Sequence, residues 1–242
     1  MEGVREASLV EHYARLAALG QSRHFGKLDG AAARTLARAT TFRTVGAGRS
    51  LWRAGDRATA AMQIVDGAVL IMAARADGRE VALGVFGPGE SIGLTAVLGG
   101  TPYPASALAL APHTRVLVIH ATALHEAMAL DAACERAVRT ALIDHSATLR
   151  MQVDVLAAGS VPARLATFLL YLGDRFGTIT ATGGVQVPMA LPKTVLAKAI
   201  ATRAETVMRC LAAWKRQRIA VVGRTGIELR ARGRLAELAQ QG

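Results

Sequence analysis

Cysteine is nearly absent from this 242-residue chain: the two that occur, Cys134 and Cys210, lie far apart in helix-like surroundings. That excludes a disulfide framework and a cysteine-rich metal site, and it fits a reducing cytoplasm. Histidine is thinly placed as well. None of the six falls between Phe25 and Pro112, so that region cannot supply the two or three imidazoles a metal-dependent barrel enzyme requires. A nucleophile–base pair and a phosphate-binding loop are also missing, which argues against an enzyme. No apolar run suits a membrane: Val81 to Pro112 carries one charge, Glu90, but its six glycines and four prolines break any spanning helix. The opening MEGVREASLVEHYARL puts acids and a base where an export signal needs an apolar core.

Positive charge is abundant, and its position is informative. Lys and Arg outnumber Asp and Glu by 16 to 14 over residues 1–160, but by 13 to 4 over residues 161–242. Nine of the eleven excess positive charges thus fall in the last third, which points to a polyanionic partner, nucleic acid or an anionic membrane surface. A lipid-bound scaffold would concentrate its bases on one amphipathic helix. Here they are spread over several short elements.

From Phe42 to Ile119, short apolar runs are separated by turn signals: AGD at 54–56, DG at 66–67, ADG at 76–78, PGE at 88–90 and GG at 99–100. Strands of about five residues with turns every 8–12 predict an antiparallel barrel or sandwich. Glycine and proline then vanish from Ala121 to Ala158, which predicts a long helix. Leu142, Leu149 and Leu156 recur at seven-residue spacing with His145 and Gln152 between them, so these five predict a dimer seam of the coiled-coil kind; packing on the chain's own barrel is the alternative. Gly159-Ser160 ends the helix and Val161-Pro162 opens the next, as proline favours a first turn.

The last third predicts a helix to about Phe176, short strands over 177–189, helices over 192–200 and 204–216, and a hairpin in RIAVVGRTGIELR. Two helices joined by a three-residue turn and followed by a hairpin form a winged helix-turn-helix pattern, which presents its second helix to a major groove. On that helix the stretch TRAETVMR sets Arg203, Glu205, Met208 and Arg209 in the first turn and a half. Arg209 suits guanine O6 and N7, Glu205 an amino group of cytosine or adenine, and Met208 a thymine methyl. A Glu205–Arg209 ion pair at i, i+4 is the plainer role for the same residues. Lys193, Thr194, Thr206, Lys215, Arg216, Arg218 and Arg224 flank this helix and suit phosphate contacts.

The segments PGESIGLTAVLGG and AGD, the post-hinge VPARLATFLLYL and above all ETVMR together make the chain resemble the CRP/FNR family of bacterial transcription regulators over nearly its whole length. The resemblance implies an α+β chain: an N-terminal antiparallel β-roll of the cyclic-nucleotide-binding kind with an N-terminal helical segment (1–120), a long dimerisation helix (121–158) and a C-terminal winged helix-turn-helix (161–242). It further implies a homodimer on a palindromic promoter site that recruits RNA polymerase. Cyclic-AMP-responsive members hold ribose and phosphate with Gly-Glu and, about ten residues on, Arg-Ser. At the aligned positions this chain has Gly93-Leu94 and Pro104-Ala105, the candidate effector pocket, with no cation to pair an anion there. The expectation is a regulator independent of cyclic AMP, with no cofactor and no metal. The clustered cysteines of iron–sulfur members are absent, whereas haem ligation by a histidine and redox switching at Cys210 stay open as alternatives. Ala204 stands where the cyclic-AMP type has arginine, so E-x-x-M-R is similar to the E-x-x-S-R of the FNR branch. Ala201 stands where a glycine commonly makes the helix–helix turn.

Overall fold

Burial alternates along Ser106–Ala109 but is continuous from Ala60 to Ile64, where both faces of the sheet are covered. The computed structural model describes residues 2–28, 30–74, 80–223 and 225–241. Two helices, α1 (Glu2–Gly20) and α2 (Gly30–Arg38), precede eight strands: β1 (Thr40–Val45), β2 (Ser50–Trp52), β3 (Ala60–Asp66), β4 (Val69–Ala74), β5 (Glu80–Phe86), β6 (Ser91–Ile92), β7 (Ser106–Ala109) and β8 (Thr114–His120). They form two four-stranded sheets, in the orders β1-β8-β3-β6 and β2-β7-β4-β5. Met62, Ile64 and Val116 point into the roll between the sheets, while Ala61, Leu117 and Ile119 point outward against helices. Burying each of the larger side chains contributes about 1.5–3 kcal/mol.

The turn signals do their expected work where they are described. Gly67 and Gly89 both adopt positive φ, and Asp66 Oδ1 accepts the Gly67 N–H at 2.8 Å. The ADG stretch at 76–78 lies outside the described residues. One segment read as strand is helical: α3 (Leu94–Gly99) starts after Gly93 in the left-handed region and stops at Gly100, also left-handed.

The helical stretch 121–158 is two helices, a correction to the single helix expected. α4 (Ala121–Leu130) ends at Asp131, whose extended backbone breaks the helix and whose Oδ1 accepts the Ala133 N–H at 2.6 Å, starting α5 (Ala132–Ala157). An Asp can cap a new helix with no glycine or proline to announce it. Cys134, Val138 and Ala141 of α5 are buried with Leu19, Leu36 and Leu124 in one apolar cluster.

After Gly159 (φ 63°), Ser160 caps α6 (Val161–Phe176), its hydroxyl accepting the Ala163 N–H at 3.3 Å, with Pro162 in the first turn. Strands β9 (Thr178–Ile179) and β10 (Val185–Val187) lead to helices α7 (Lys193–Ala199) and α8 (Ala204–Arg216). A hairpin, β11 (Ala220–Val222) and β12 (Ile227–Leu229), and a helix α9 (Arg232–Gln240) complete the chain. The four short strands make one sheet, β11-β12-β10-β9. Packing divides the chain into two units, residues 1–71 with 85–146 and residues 72–84 with 147–242.

Candidate nucleic-acid interface and sensor pocket

Helix α8 is fixed by one apolar face. Val207, Leu211 and Trp214, at i, i+4 and i+7, are buried, and α7 meets them with Val195, Leu196 and Ala199. The turn between the helices passes through Ala201 at φ 51°, a left-handed conformation that costs an alanine about 1 kcal/mol. The opposite face of α8 is thereby exposed: Glu205, Met208, Arg209, Ala212, Lys215 and Arg216. Met208 is 50% exposed despite being apolar. Arg203 stands at the N-cap without a side-chain cap bond, and Arg218 takes a left-handed φ of 56° in the turn that leaves the helix.

Charge partners sort the basic residues of this unit. Arg230 pairs with Glu228, Arg232 with Asp174, Arg234 with Glu237, and Lys198 with Glu80 at 2.7 Å. The Arg230 guanidinium holds the Glu228 carboxyl below its usual range. Three of the four acids in the last third are thus engaged away from α8, and the fourth, Glu205, sits in its first turn, where the helix dipole favours an anion. Among the described residues no carboxylate pairs with Lys193, Arg203, Arg209, Lys215, Arg216 or Arg218, and no ion pair joins Glu205 to Arg209.

Lys193 opens α7 and its Nζ donates to the Val222 carbonyl at 3.4 Å, tying the helix start to the hairpin. With Met208, Leu211, Ala212, Lys215 and Val221 it lines a cleft of about 220 Å³ beside α8. Thr194 is exposed and Thr206 half-buried. Arg224 lies outside the described residues.

The expected seam residues divide. Leu149 and Leu156 are exposed and Leu142 is half-buried, whereas His145 and Gln152 bond within their own chain. His145 Nε2 donates to the Ser91 carbonyl at 2.6 Å and its ring lies edge-on to Phe86; Gln152 is buried and donates to the Ala199 carbonyl at 2.7 Å. One residue further on, Ser146 and Val153 face outward, Val153 at 65% exposure. The outward stripe is therefore Ser146, Leu149, Val153 and Leu156, flanked by exposed Ile143, with Leu142 at its head half-buried against the chain's own apolar cluster.

The four expected pocket residues also part company. Leu94 is fully buried in the apolar cluster beneath the helices, and Pro104 faces solvent. Gly93 and Ala105 instead border a pair that sequence reasoning missed, Trp52 and Tyr103, stacked with ring centroids 4.2 Å apart inside the roll. Their partnership joins residues 51 positions apart, and no motif marks it.

Histidine and cysteine are engaged in other ways. His24 Nε2 lies 3.0 Å from the Asp144 carboxylate, and no group of three or more metal-ligating side chains is placed to hold an ion among the described residues. Burial pushes the Cys134 thiol up to about 11 and raises that of Cys210, against which Arg209 pulls only weakly. A raised thiol pKa means little thiolate, the reactive form, at neutral pH.

Two family models match the chain: the cyclic nucleotide-binding domain over residues 42–131 and the Crp-like helix-turn-helix domain over residues 163–238. The chain belongs to the CRP/FNR family. Solved structures carry the same fold. FixK2 from Bradyrhizobium japonicum is 24% identical with a TM-score of 0.70, over 82% of this chain and 96% of that one. A CRP-family transcriptional regulator from Thermus thermophilus is 22% identical with a TM-score of 0.66, over 81% and 96%. The c-di-GMP-responsive global regulator CLP of Xanthomonas campestris is 19% identical with a TM-score of 0.67, over 83% and 99%. No curated protein sequence matches the chain. The fold is that of a CRP-like transcription regulator with a DNA-binding helix-turn-helix, and none of the described helices is long and apolar enough to cross a membrane.

Proposed function

We propose that this chain is a sequence-specific regulator of transcription that binds a palindromic promoter site as a homodimer, without cyclic AMP, in the cytoplasm. One observation carries the reading: Lys193, Arg203, Arg209, Lys215, Arg216 and Arg218, for none of which a carboxylate partner is found among the described residues, lie on α8 and its flanks, around an exposed Glu205 and Met208. An arginine already held by a carboxylate has a bond to exchange before it meets a base. Arg209 has none, and it reads guanine while Glu205 accepts from an amino group, in the manner of the FNR branch. Arg203 and Met208 complete the base-reading set, Met208 covering a thymine methyl. Lys193, Thr194, Thr206, Lys215, Arg216, Arg218 and Arg224 hold the phosphates.

The stripe on α5 supports the dimer. Leu142, Ser146, Leu149, Val153 and Leu156 follow the alternating four-and-three spacing of a coiled-coil seam over about 21 Å of helix. A parallel pair on this seam sets two recognition helices on one face of the duplex, roughly 34 Å apart, and the bound dimer recruits RNA polymerase. The test is binding of the full chain to palindromic and scrambled duplexes of equal length across a salt series, with sedimentation of the free protein. A dimer that prefers the palindrome at every salt concentration supports the reading. Equal affinity for both duplexes, or a monomer at the concentrations where binding occurs, ends it.

A further inference from the structure

We propose that Trp52 and Tyr103 are a built-in occupant of the sensor roll, filling with the chain's own rings the space a small-molecule effector would need; this rests on the family reading of the roll. Both side chains are buried, and they stack nearly parallel at an interplanar angle of 13°. Each polar tip is tied down. The Trp52 indole N–H donates to the Ala105 carbonyl at 2.8 Å, and the Tyr103 hydroxyl donates to the Ala60 carbonyl. The Tyr103 backbone is pinned as well, its N–H to the Asp56 carbonyl at 2.9 Å and its carbonyl to the Gly55 N–H at 2.8 Å. Stacked rings with satisfied polar ends are a stable filling for an apolar space.

The pair sits against two of the four positions that align with the nucleotide-holding residues, Gly93 and Ala105. A Cβ on Gly93 would lie 3.2 Å from Tyr103 Cε1 and 3.3 Å from Trp52 Cη2, so the glycine makes room for both rings while its φ of 80° starts α3. Ala105 takes the indole bond. The remaining wall is apolar: Val45, Ile64, Val69, Phe86, Ile92 and Val116. A cyclic nucleotide entering here would displace two anchored rings and leave its phosphate unpaired. Bridging β2, β3 and the loop before β7, the pair makes the joins that a bound ligand would otherwise make, so the roll holds one state with no effector.

Two titrations of the full chain test this. Wild type, followed by calorimetry and thermal unfolding, is exposed to cyclic AMP and cyclic GMP up to millimolar concentration; no heat of binding and no shift in Tm is expected. The variant Tyr103→Ala, in which an apolar void replaces the phenol, is titrated with p-cresol and read by Trp52 fluorescence in a Trp214→Phe background. Saturable binding is expected, with a rise of about 3–5 °C in Tm, and neither is expected for wild type. Binding of a cyclic nucleotide to wild type overturns the proposal, and so does a folded Tyr103→Ala that takes up no p-cresol. If Tyr103→Ala does not fold, the wild-type titration still decides. Neither measurement uses DNA, so a wild type indifferent to palindromic duplex would refute the DNA reading and leave this result standing.

Discussion

The roll and the helix-turn-helix treat polar groups in opposite ways. Inside the roll the Trp52 and Tyr103 tips are each tied to a carbonyl, and at its edge Arg23 lies 3.6 Å from Glu90 and His24 meets Asp144. On α8 the bases stand open, while the arginines of α9 and β12's end are spent on Asp174, Glu237 and Glu228. Rings whose polar tips find partners within the chain need nothing from outside. A region that keeps its bases open while pairing others nearby is prepared for an anion.

The largest expected effect comes from breaking the seam. Val153→Glu puts a charge on the outward stripe and should give monomers by sedimentation, with DNA affinity down at least about 100-fold because both half-sites are no longer held together. Gln152→Ala, one residue away, should leave the dimer intact and instead lower Tm, since it removes the bond to the Ala199 carbonyl. Arg209→Ala comes next: a loss of about 1–3 kcal/mol on the preferred site, seen as relaxed selection at one guanine in each half-site. Lys193→Ala should weaken every duplex alike by a few fold and lower the salt slope by roughly 1, read in the same binding assay. Arg232→Ala, whose side chain is held by Asp174, should change DNA affinity less than about twofold. At the small end, native-state alkylation at pH 7.5 should find Cys134 unreactive and Cys210 slower than a free thiol, because burial holds both as thiols. Rapid oxidation of Cys210 with loss of DNA binding would reinstate a redox switch.

Much of this contrast could be read from residue order. Turn glycines, the Ser160-Pro162 start and the ETVMR helix are local signals, and local geometry follows them. The seam was legible only by half. Leucines at seven-residue spacing fix one row of an α-helix, but the intermediate row can lie three or four residues on, and the bonds of His145 to Ser91 and of Gln152 to Ala199 join residues too distant in sequence for spacing to announce. Asp131 was missed because an aspartate ends a helix only when its side chain caps the next. Helix α9 carried no signal that separated it from the preceding hairpin, being short and rich in arginine. The Trp52–Tyr103 pair depends on contacts between distant strands, which no spacing rule anticipates.

The most direct test is selection of bound sequences from a random duplex pool by the full-length protein with no nucleotide added. The account predicts a twofold-symmetric motif with a guanine in each half-site, the half-sites centred about 10 base pairs apart, and loss of that guanine from the motif selected by Arg209→Ala. A pool that returns without an enriched motif, or one identical for the two proteins, would contradict it.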